Sequence, residues 1–193
     1  MRRILPSKTE QFLFIDGDRP TASYGRHRNK SWPATTNGSS NARSTAISRR
    51  SEIRLGSLNA GGATTKAAVI DDLIRDNRLD ILAVCESWIL ENAPNAIKYD
   101  IAPDNYSVLH VHRQRSSIKG QPKRGGGLAF IFSNQLSARP IKCSLVPKTF
   151  ELQLVGLQVS NIAVKVGNIY RPPRLSKTDF LNEFADLLAS LCS

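Results

Sequence analysis

The chain has 193 residues, a formal net charge of +11 and a sequence pI of about 10. Hydrophobic residues make up 40% and charged residues 22%, a composition that can support one folded core. No apolar run reaches the ~18 residues of a membrane span, and the N-terminus lacks the apolar stretch of a secretory signal. We therefore expect no membrane span and no secretion. The charge favours nucleic acid as a partner, although it could also serve only solubility.

The three cysteines, Cys85, Cys143 and Cys192, are widely spaced and form no CxxC pair. This pattern indicates neither a zinc site nor a disulfide framework, and it fits a reducing compartment. The expected location is the nucleus if the protein acts on DNA, and the cytoplasm otherwise. Nothing in the sequence indicates a homo-oligomer.

Residues 1–50 differ in composition from the rest of the chain, with ten Lys or Arg against three Asp or Glu. Residues 12–15 are their one apolar run of note, so we expect residues 1–50 to be a mostly disordered basic segment. Such a segment could be a nucleic-acid arm, a nuclear signal or a solvated linker. Residues 51–193 are then the folded domain.

The first elements of that domain are a short strand over residues 53–59 and a helix capped by Thr64 or Thr65. The apolar face of the helix is expected to hold Val69, Ile70, Leu73 and Ile74. A continuous apolar run over residues 80–86 predicts a strand that is buried on both faces.

Further strands are predicted at residues 106–111, 128–132, 152–159 and 162–170. The apolar alternation changes phase at Gly156, which predicts a β-bulge there. Ser176 and Asp179 match a capping box, followed by the apolar stripe of a final helix. Together these elements predict a two-layer or sandwich α+β domain.

Polar residues end three of these strands: Asn59, Glu86 and Tyr170. A carboxylate cannot remain unpaired in an apolar layer, so Glu86 must reach solvent, meet a cation or take up a proton. Each residue alone is most simply the first solvated position after a strand. The three together raise the alternative of a shared site.

A basic stretch separates the middle strands. Residues 105–150 contain eight Lys or Arg and no Asp or Glu, and residues 112–124 form a loop that could follow a phosphate backbone. A solvated surface loop is the other interpretation. The glycines at 125–127 indicate a tight turn into the next strand rather than a phosphate cradle.

Several motifs in series resemble the endonuclease/exonuclease/phosphatase superfamily, and in particular the apurinic-type endonuclease domain of LINE-like (non-LTR) retrotransposons. The strongest are the glutamate strand, the triple-glycine strand and the Tyr-Arg-Pro-Pro turn. The matching stretches are Ser57-Leu-Asn-Ala60, Asp80-Ile-Leu-Ala-Val-Cys-Glu-Ser-Trp88, Arg113-Gln-Arg115, Arg124-Gly-Gly-Gly-Leu-Ala-Phe130, Phe150-Glu-Leu152, Ile169-Tyr-Arg-Pro-Pro173 and Phe180-Leu-Asn-Glu-Phe184.

This resemblance implies an α/β fold, namely an incomplete four-layer α/β/β/α sandwich of the DNase I-like type. It implies DNA phosphodiester hydrolysis with Mg²⁺ or Mn²⁺, in which Glu86 binds the metal, Asn59 lies beside metal and phosphate, and Tyr170 orients the phosphate. DNA is the implied partner, together with a reverse transcriptase domain in the full-length element. The implied nucleic-acid contacts are Arg113, Arg115, Lys123, Arg124 and Arg171.

The sequence also departs from this family. It contains no Asp-His dipeptide, and Gly17-Asp18 is not followed by the family's aromatic-Asn pair. Gly61-Gly62 replaces an Arg-containing continuation, and Cys85 stands where Thr is common. These departures predict a truncated domain with little catalysis, because a missing general base alone costs about 10²–10⁴-fold. The hypotheses are thus a nicking endonuclease, a catalytically silent fragment, which we prefer for this chain, or a basic nucleic-acid-binding module.

Overall fold

A computed structural model describes residues 11–17, 52–112, 125–159 and 162–191. The described residues form two four-stranded β-sheets and three α-helices, so the chain is a mixed α/β protein, as predicted. The elements are, in chain order, β1 (Gln11–Gly17), β2 (Leu55–Asn59), α1 (Ala67–Asn77), β3 (Ile81–Cys85), α2 (Asn95–Tyr99), β4 (Tyr106–Val111), β5 (Leu128–Ser133), β6 (Ala138–Pro140), β7 (Glu151–Val159), β8 (Ile162–Tyr170) and α3 (Lys177–Leu191).

The first sheet has the strand order β2-β3-β5-β4. Strands β2 and β3 are parallel, because helix α1 connects them as a crossover, and the other pairs are antiparallel. All five residues of β3 are buried. Helix α1 covers the outer face of this sheet, where Ile70 and Ile74 pack with Leu82, Val84 and Ile131.

The second sheet has the order β1-β8-β7-β6 and is antiparallel throughout. Helix α3 covers its outer face through Phe180 and Leu187, which pack with Phe150 and Ile169. The helix begins as the capping-box pattern predicts, since the Asp179 main-chain N–H donates to Ser176 Oγ at 3.3 Å.

The two sheets pack face to face through a cluster of large apolar side chains, including Phe130, Phe132, Val155 and Val166. The packing order is therefore helix, sheet, sheet, helix. Two buried polar side chains, Asn168 and Gln153, bridge the sheets, and Gln153 Nε2 donates to the Leu109 carbonyl at 2.8 Å. Asn168 is the more deeply buried of the two. It is 0% exposed, and its Nδ2 donates to the carbonyls of Val84 at 3.0 Å and Ala129 at 3.4 Å in the opposite sheet.

Residues 1–50 contribute one strand that was not predicted. Residues Gln11–Gly17, inside the segment expected to be mostly disordered, form β1 and pair along their whole length with β8. The physical reason is that this pairing satisfies the main-chain groups on the free side of β8. The other residues of the segment lie outside the described residues.

Local predictions around Gly156 and α1 were wrong. Strands β7 and β8 pair in continuous register through Gly156, so no bulge forms there. The phase change arises because both faces of β7 are covered: Leu152 packs towards α3, and Val155 packs towards the other sheet. At α1, neither threonine caps the helix, and Val69 is 60% exposed.

Within the described residues, no helix combines the length and the apolar character that crossing a membrane requires.

Candidate active site

Parallel pairing brings two of the predicted site residues to neighbouring strand ends. Asn59 is the register partner of Cys85, and Glu86 follows Cys85 directly. The ladder continues past the strands, since the N–H of Gly62 donates to the Glu86 carbonyl at 2.9 Å. Asn59 Oδ1 accepts a hydrogen bond from the Gly61 N–H at 3.2 Å, which fixes the amide over the turn.

The backbone at Glu86 is strained. Glu86 has φ of 55° and Trp88 has φ of 58°, a region that costs non-glycine residues about 1–3 kcal/mol each. Hydrogen bonds on the β5 side hold this conformation: Ser87 N–H donates to the Gly127 carbonyl at 3.1 Å, and Trp88 N–H donates to that of Gly126 at 3.0 Å. Such strain persists where the surroundings impose it, which is common at functional sites.

The Glu86 carboxylate is the centre of the site. Its Oε2 accepts hydrogen bonds from the Trp88 indole Nε1–H and, at 3.1 Å, from the Gly126 main-chain N–H. A Cβ at Gly125 would lie 3.4 Å from the same oxygen, so this turn leaves little room for a side chain near the carboxylate. The glycine run thus approaches Glu86 with main chain alone.

Tyr170 reaches Glu86 from the other sheet. It ends β8, is 7% exposed, and its hydroxyl donates a hydrogen bond to the Glu86 carboxylate. Burial raises the pKa of the Tyr170 phenol well above its ordinary value of 10.0, and the bond to Glu86 raises this pKa further. Tyr170 therefore keeps its proton at neutral pH and acts as a donor.

Glu151 is a second carboxylate at this site and was not predicted as a site residue. It is the register partner of Tyr170, and its Oε2 accepts a hydrogen bond from the Gly127 N–H at 2.8 Å. Its negative charge contributes to the raised pKa values of both Tyr170 and Cys85. The motif Phe150-Glu-Leu152 was a signal for Glu151, but only the strand register brings it next to Tyr170.

Cys85 lies beneath the carboxylates in a small buried cluster with Leu128 and Tyr170. Burial, followed by the charges of Glu86 and Glu151, raises the pKa of the Cys85 thiol to about 12. The thiol is therefore protonated at neutral pH, and it is neither a nucleophile nor a metal ligand in this state.

Two further side chains border the site at the Gly61-Gly62 turn. Lys66 donates from its ammonium to the Ala60 carbonyl, and the Trp88 ring lies against Gly62. Neither residue was predicted as a site residue. No spacing pattern marks Lys66, and Trp88 entered only as part of a motif.

The predicted nucleic-acid contacts have different outcomes. Arg113, Arg115, Lys123 and Arg124 lie outside the described residues. Arg171 is 5% exposed, and its Nη1 donates to the Leu175 carbonyl at 2.5 Å, with the guanidinium 5.9 Å from the centre of the Phe180 ring. In this structure Arg171 therefore anchors the turn after β8 and has little surface to offer a phosphate.

The described ranges contain no group of three or more His, Cys, Asp or Glu side chains that could hold a metal ion. The oxygen-bearing groups at the site are the carboxylates of Glu86 and Glu151, the Asn59 amide and the Tyr170 phenol. Comparisons of the whole chain with protein-family models, with curated proteins and with solved structures find no match.

Proposed function

We propose that the site around Glu86 hydrolyses phosphodiester bonds in DNA with the help of Mg²⁺ or Mn²⁺. The observation that carries this proposal is the meeting of Glu86 and Tyr170, which come from strand ends in different sheets, beside Asn59. Motif order and the helix–sheet–sheet–helix packing support assignment to the endonuclease/exonuclease/phosphatase superfamily and to its DNase I-like sandwich. Within it, we propose the LINE-like endonuclease branch.

The donor set supports a hard divalent cation. Mg²⁺ is often held by only one or two carboxylates, with water and substrate phosphate as its other ligands, so it does not need a cluster of three acidic residues. Glu86 would bind the ion directly, and Glu151, which accepts from the next main-chain N–H of the same glycine turn, would be a second carboxylate for it. The bound ion would stabilise negative charge that develops on the phosphate and on the leaving oxygen.

The protein's own groups position the ester. The Tyr170 phenol, protonated at neutral pH, donates a hydrogen bond to Glu86 and can donate to a phosphate oxygen instead. The Asn59 amide is held in place through its oxygen by the Gly61 N–H, and its Nδ2 group would be the donor to a phosphate oxygen. Both groups would bind the charge of the transition state in fixed orientations.

The test is nicking of supercoiled plasmid in Mg²⁺. We expect slow nicking by the wild type, since the family's water-activating Asp-His pair does not occur in these residues. Glu86→Gln should lower the rate by at least about 100-fold, because it removes the metal-binding charge. Glu91→Gln, on an exposed turn, is the matched control and should leave the rate unchanged. Equal rates in all three proteins, or no nicking at all, would reject catalysis by this chain.

A second candidate is a silent nucleic-acid-binding module, which the net charge of +11 favours. In that case duplex DNA would bind without being cut, and its affinity would fall steeply with salt because phosphate contacts release counterions. Binding that barely weakens from low to moderate salt would argue against this module.

A further inference from the structure

Two consecutive glycines bring a cation and an aromatic ring to the edge of the candidate site. Gly61 and Gly62 follow Asn59 and Ala60 and have positive φ angles of 52° and 103°. A Cβ at Gly61 would lie 3.6 Å from Lys66 Nζ, and a Cβ at Gly62 would lie 3.1 Å from Cε3 of Trp88. The absence of side chains at the turn thus lets both groups approach the main chain next to the candidate catalytic amide.

The Trp88 ring is held in place yet remains open to solvent. Its Nε1–H donates to Glu86 Oε2, its main-chain N–H is bonded to Gly126, and one part of the ring lies against Gly62. Even so, the residue is 44% exposed. A ring that served only packing would be buried by its neighbours, whereas a fixed and exposed ring beside a carboxylate offers a surface for stacking.

The combination of charge and ring defines the chemical class of ligand. An ammonium recognises a phosphate as a point charge, and an indole face stacks on a nucleobase irrespective of its sequence. Phosphodiesters of simple alcohols or polyols present no flat aromatic partner for the ring. An unpaired nucleotide presents both a phosphate and a base within the reach of one small surface.

We propose that Lys66 and Trp88, seated on the Gly61-Gly62 turn, form a subsite for one unstacked nucleotide beside the scissile phosphate. Trp88 stacks on the base, and Lys66 neutralises a neighbouring phosphate. The substrate class is therefore single-stranded or locally opened DNA, not a small phosphodiester without a base. This inference rests on the proposed function in taking a DNA phosphodiester as the ligand of the Glu86 site.

Tryptophan fluorescence gives a test that needs no turnover. The sequence has two tryptophans, so Trp32→Phe leaves Trp88 as the only one. In EDTA, this protein is titrated with short oligothymidylate and with an abasic oligomer of equal length. We expect quenching by oligothymidylate and binding about 5- to 150-fold tighter than that of the abasic oligomer, the range expected for one stacked base.

Variants separate the two halves of the subsite, with binding followed by anisotropy of labelled oligomers. Trp88→Ala should abolish the preference for the base-containing oligomer, and Trp88→Phe, which retains a ring, should keep part of it. Lys66→Ala should weaken the binding of both oligomers about equally. It should also reduce the slope of log affinity against log salt concentration by about one, because one phosphate contact is lost. The exposed Lys142→Ala is the matched control and should change neither quantity.

Several outcomes would overturn the subsite. They are equal affinity for the two oligomers, a base preference that survives Trp88→Ala, and no binding of either oligomer. Failure of the proposed hydrolysis looks different, because it would abolish Mg²⁺-dependent nicking while the base preference in EDTA remained. Conversely, nicking that depends on Glu86 without any base preference would retain the hydrolytic site and reject the subsite.

Discussion

The hydroxyl of Tyr170, at the end of one β-sheet, donates a hydrogen bond to the carboxylate of Glu86, at the end of a strand in the other sheet. This hydrogen bond joins the two sheets at the ends of their strands. Because Tyr170 is buried and faces two carboxylates, any loss of its proton would place a third negative charge in the same small volume. The pair therefore links the protonation of the phenol to the charge of Glu86.

The first prediction concerns that linkage. Burial, and then Glu86, raise the pKa of Tyr170, so Glu86→Gln should move this pKa towards its ordinary value of 10.0. Alkaline difference absorption of the wild type, Glu86→Gln and Tyr170→Phe would isolate the titration of this phenol. A Tyr170 titration that is unaffected by Glu86→Gln would contradict the hydrogen bond. The raised pKa also predicts that folding stability falls as pH rises above about 10.

The second prediction concerns Asn168, which bridges the two sheets from a fully buried position. Asn168→Leu leaves the carbonyls of Val84 and Ala129 without this donor, so it should lower the free energy of unfolding by about 2–3 kcal/mol. Urea denaturation measures the loss. Asn92→Ala, at an exposed turn position, should change stability by less than about 0.5 kcal/mol. Similar stabilities for both variants would show that the bridge contributes little.

The third prediction concerns two stacked imidazoles, one in β4 and one directly after it. His110 and His112 have ring centroids 5.6 Å apart, and His110 Nε2 is 2.8 Å from the Lys98 carbonyl. Burial lowers the pKa of His110 below 6.5, against the effect of that carbonyl and with help from the charges of His112 and Lys98. The unfolded chain then binds a proton more readily than the folded one, so stability should fall as pH drops below about 6.5.

Thermal melts of the wild type and His110→Gln across this pH range provide the measurement. The variant should show a shallower loss of melting temperature at acidic pH, because the residue that resists protonation is gone. Parallel pH profiles for the two proteins would assign the acid sensitivity to other groups.

The fourth prediction concerns thiol reactivity. Burial raises the pKa of Cys85 to about 12, so it should resist alkylation in the native protein, whereas the partly exposed Cys143 should react faster. Mass spectrometry after a timed iodoacetamide pulse distinguishes the two sites. Rapid native labelling of Cys85 would mean that the edge beneath Glu86 opens readily.

The sequence predicted the position of a strand correctly where a single local feature, such as an apolar run or a proline pair, determines it. The apolar run of β3 can only be buried on both faces, and Pro172-Pro173 cannot extend β8, so these boundaries were predictable. Strand β1 was not, because it forms through main-chain pairing with a strand distant in sequence. The bulge predicted at Gly156 failed because alternation cannot distinguish a shifted register from a strand covered on both faces.

At the candidate site, too, some residues were predicted from the sequence and others were not. Glu86 and Tyr170 stood out because polar groups at the ends of apolar strands need partners, and the fold brings these two together. Glu151, Lys66 and Trp88 escaped notice, because their proximity depends on strand register and on the approach to the Gly61-Gly62 turn. Sequence spacing alone does not reveal such contacts.

The most direct test of the central claim is Mn²⁺ binding, measured by electron paramagnetic resonance on the wild type, Glu86→Gln and the control Glu91→Gln. Circular dichroism of each protein establishes that the fold is retained. We expect the wild type and Glu91→Gln to bind one ion with equal affinity, and Glu86→Gln to bind it at least about tenfold more weakly. Equal binding by all three proteins, or no binding by the wild type, would contradict a metal site at Glu86.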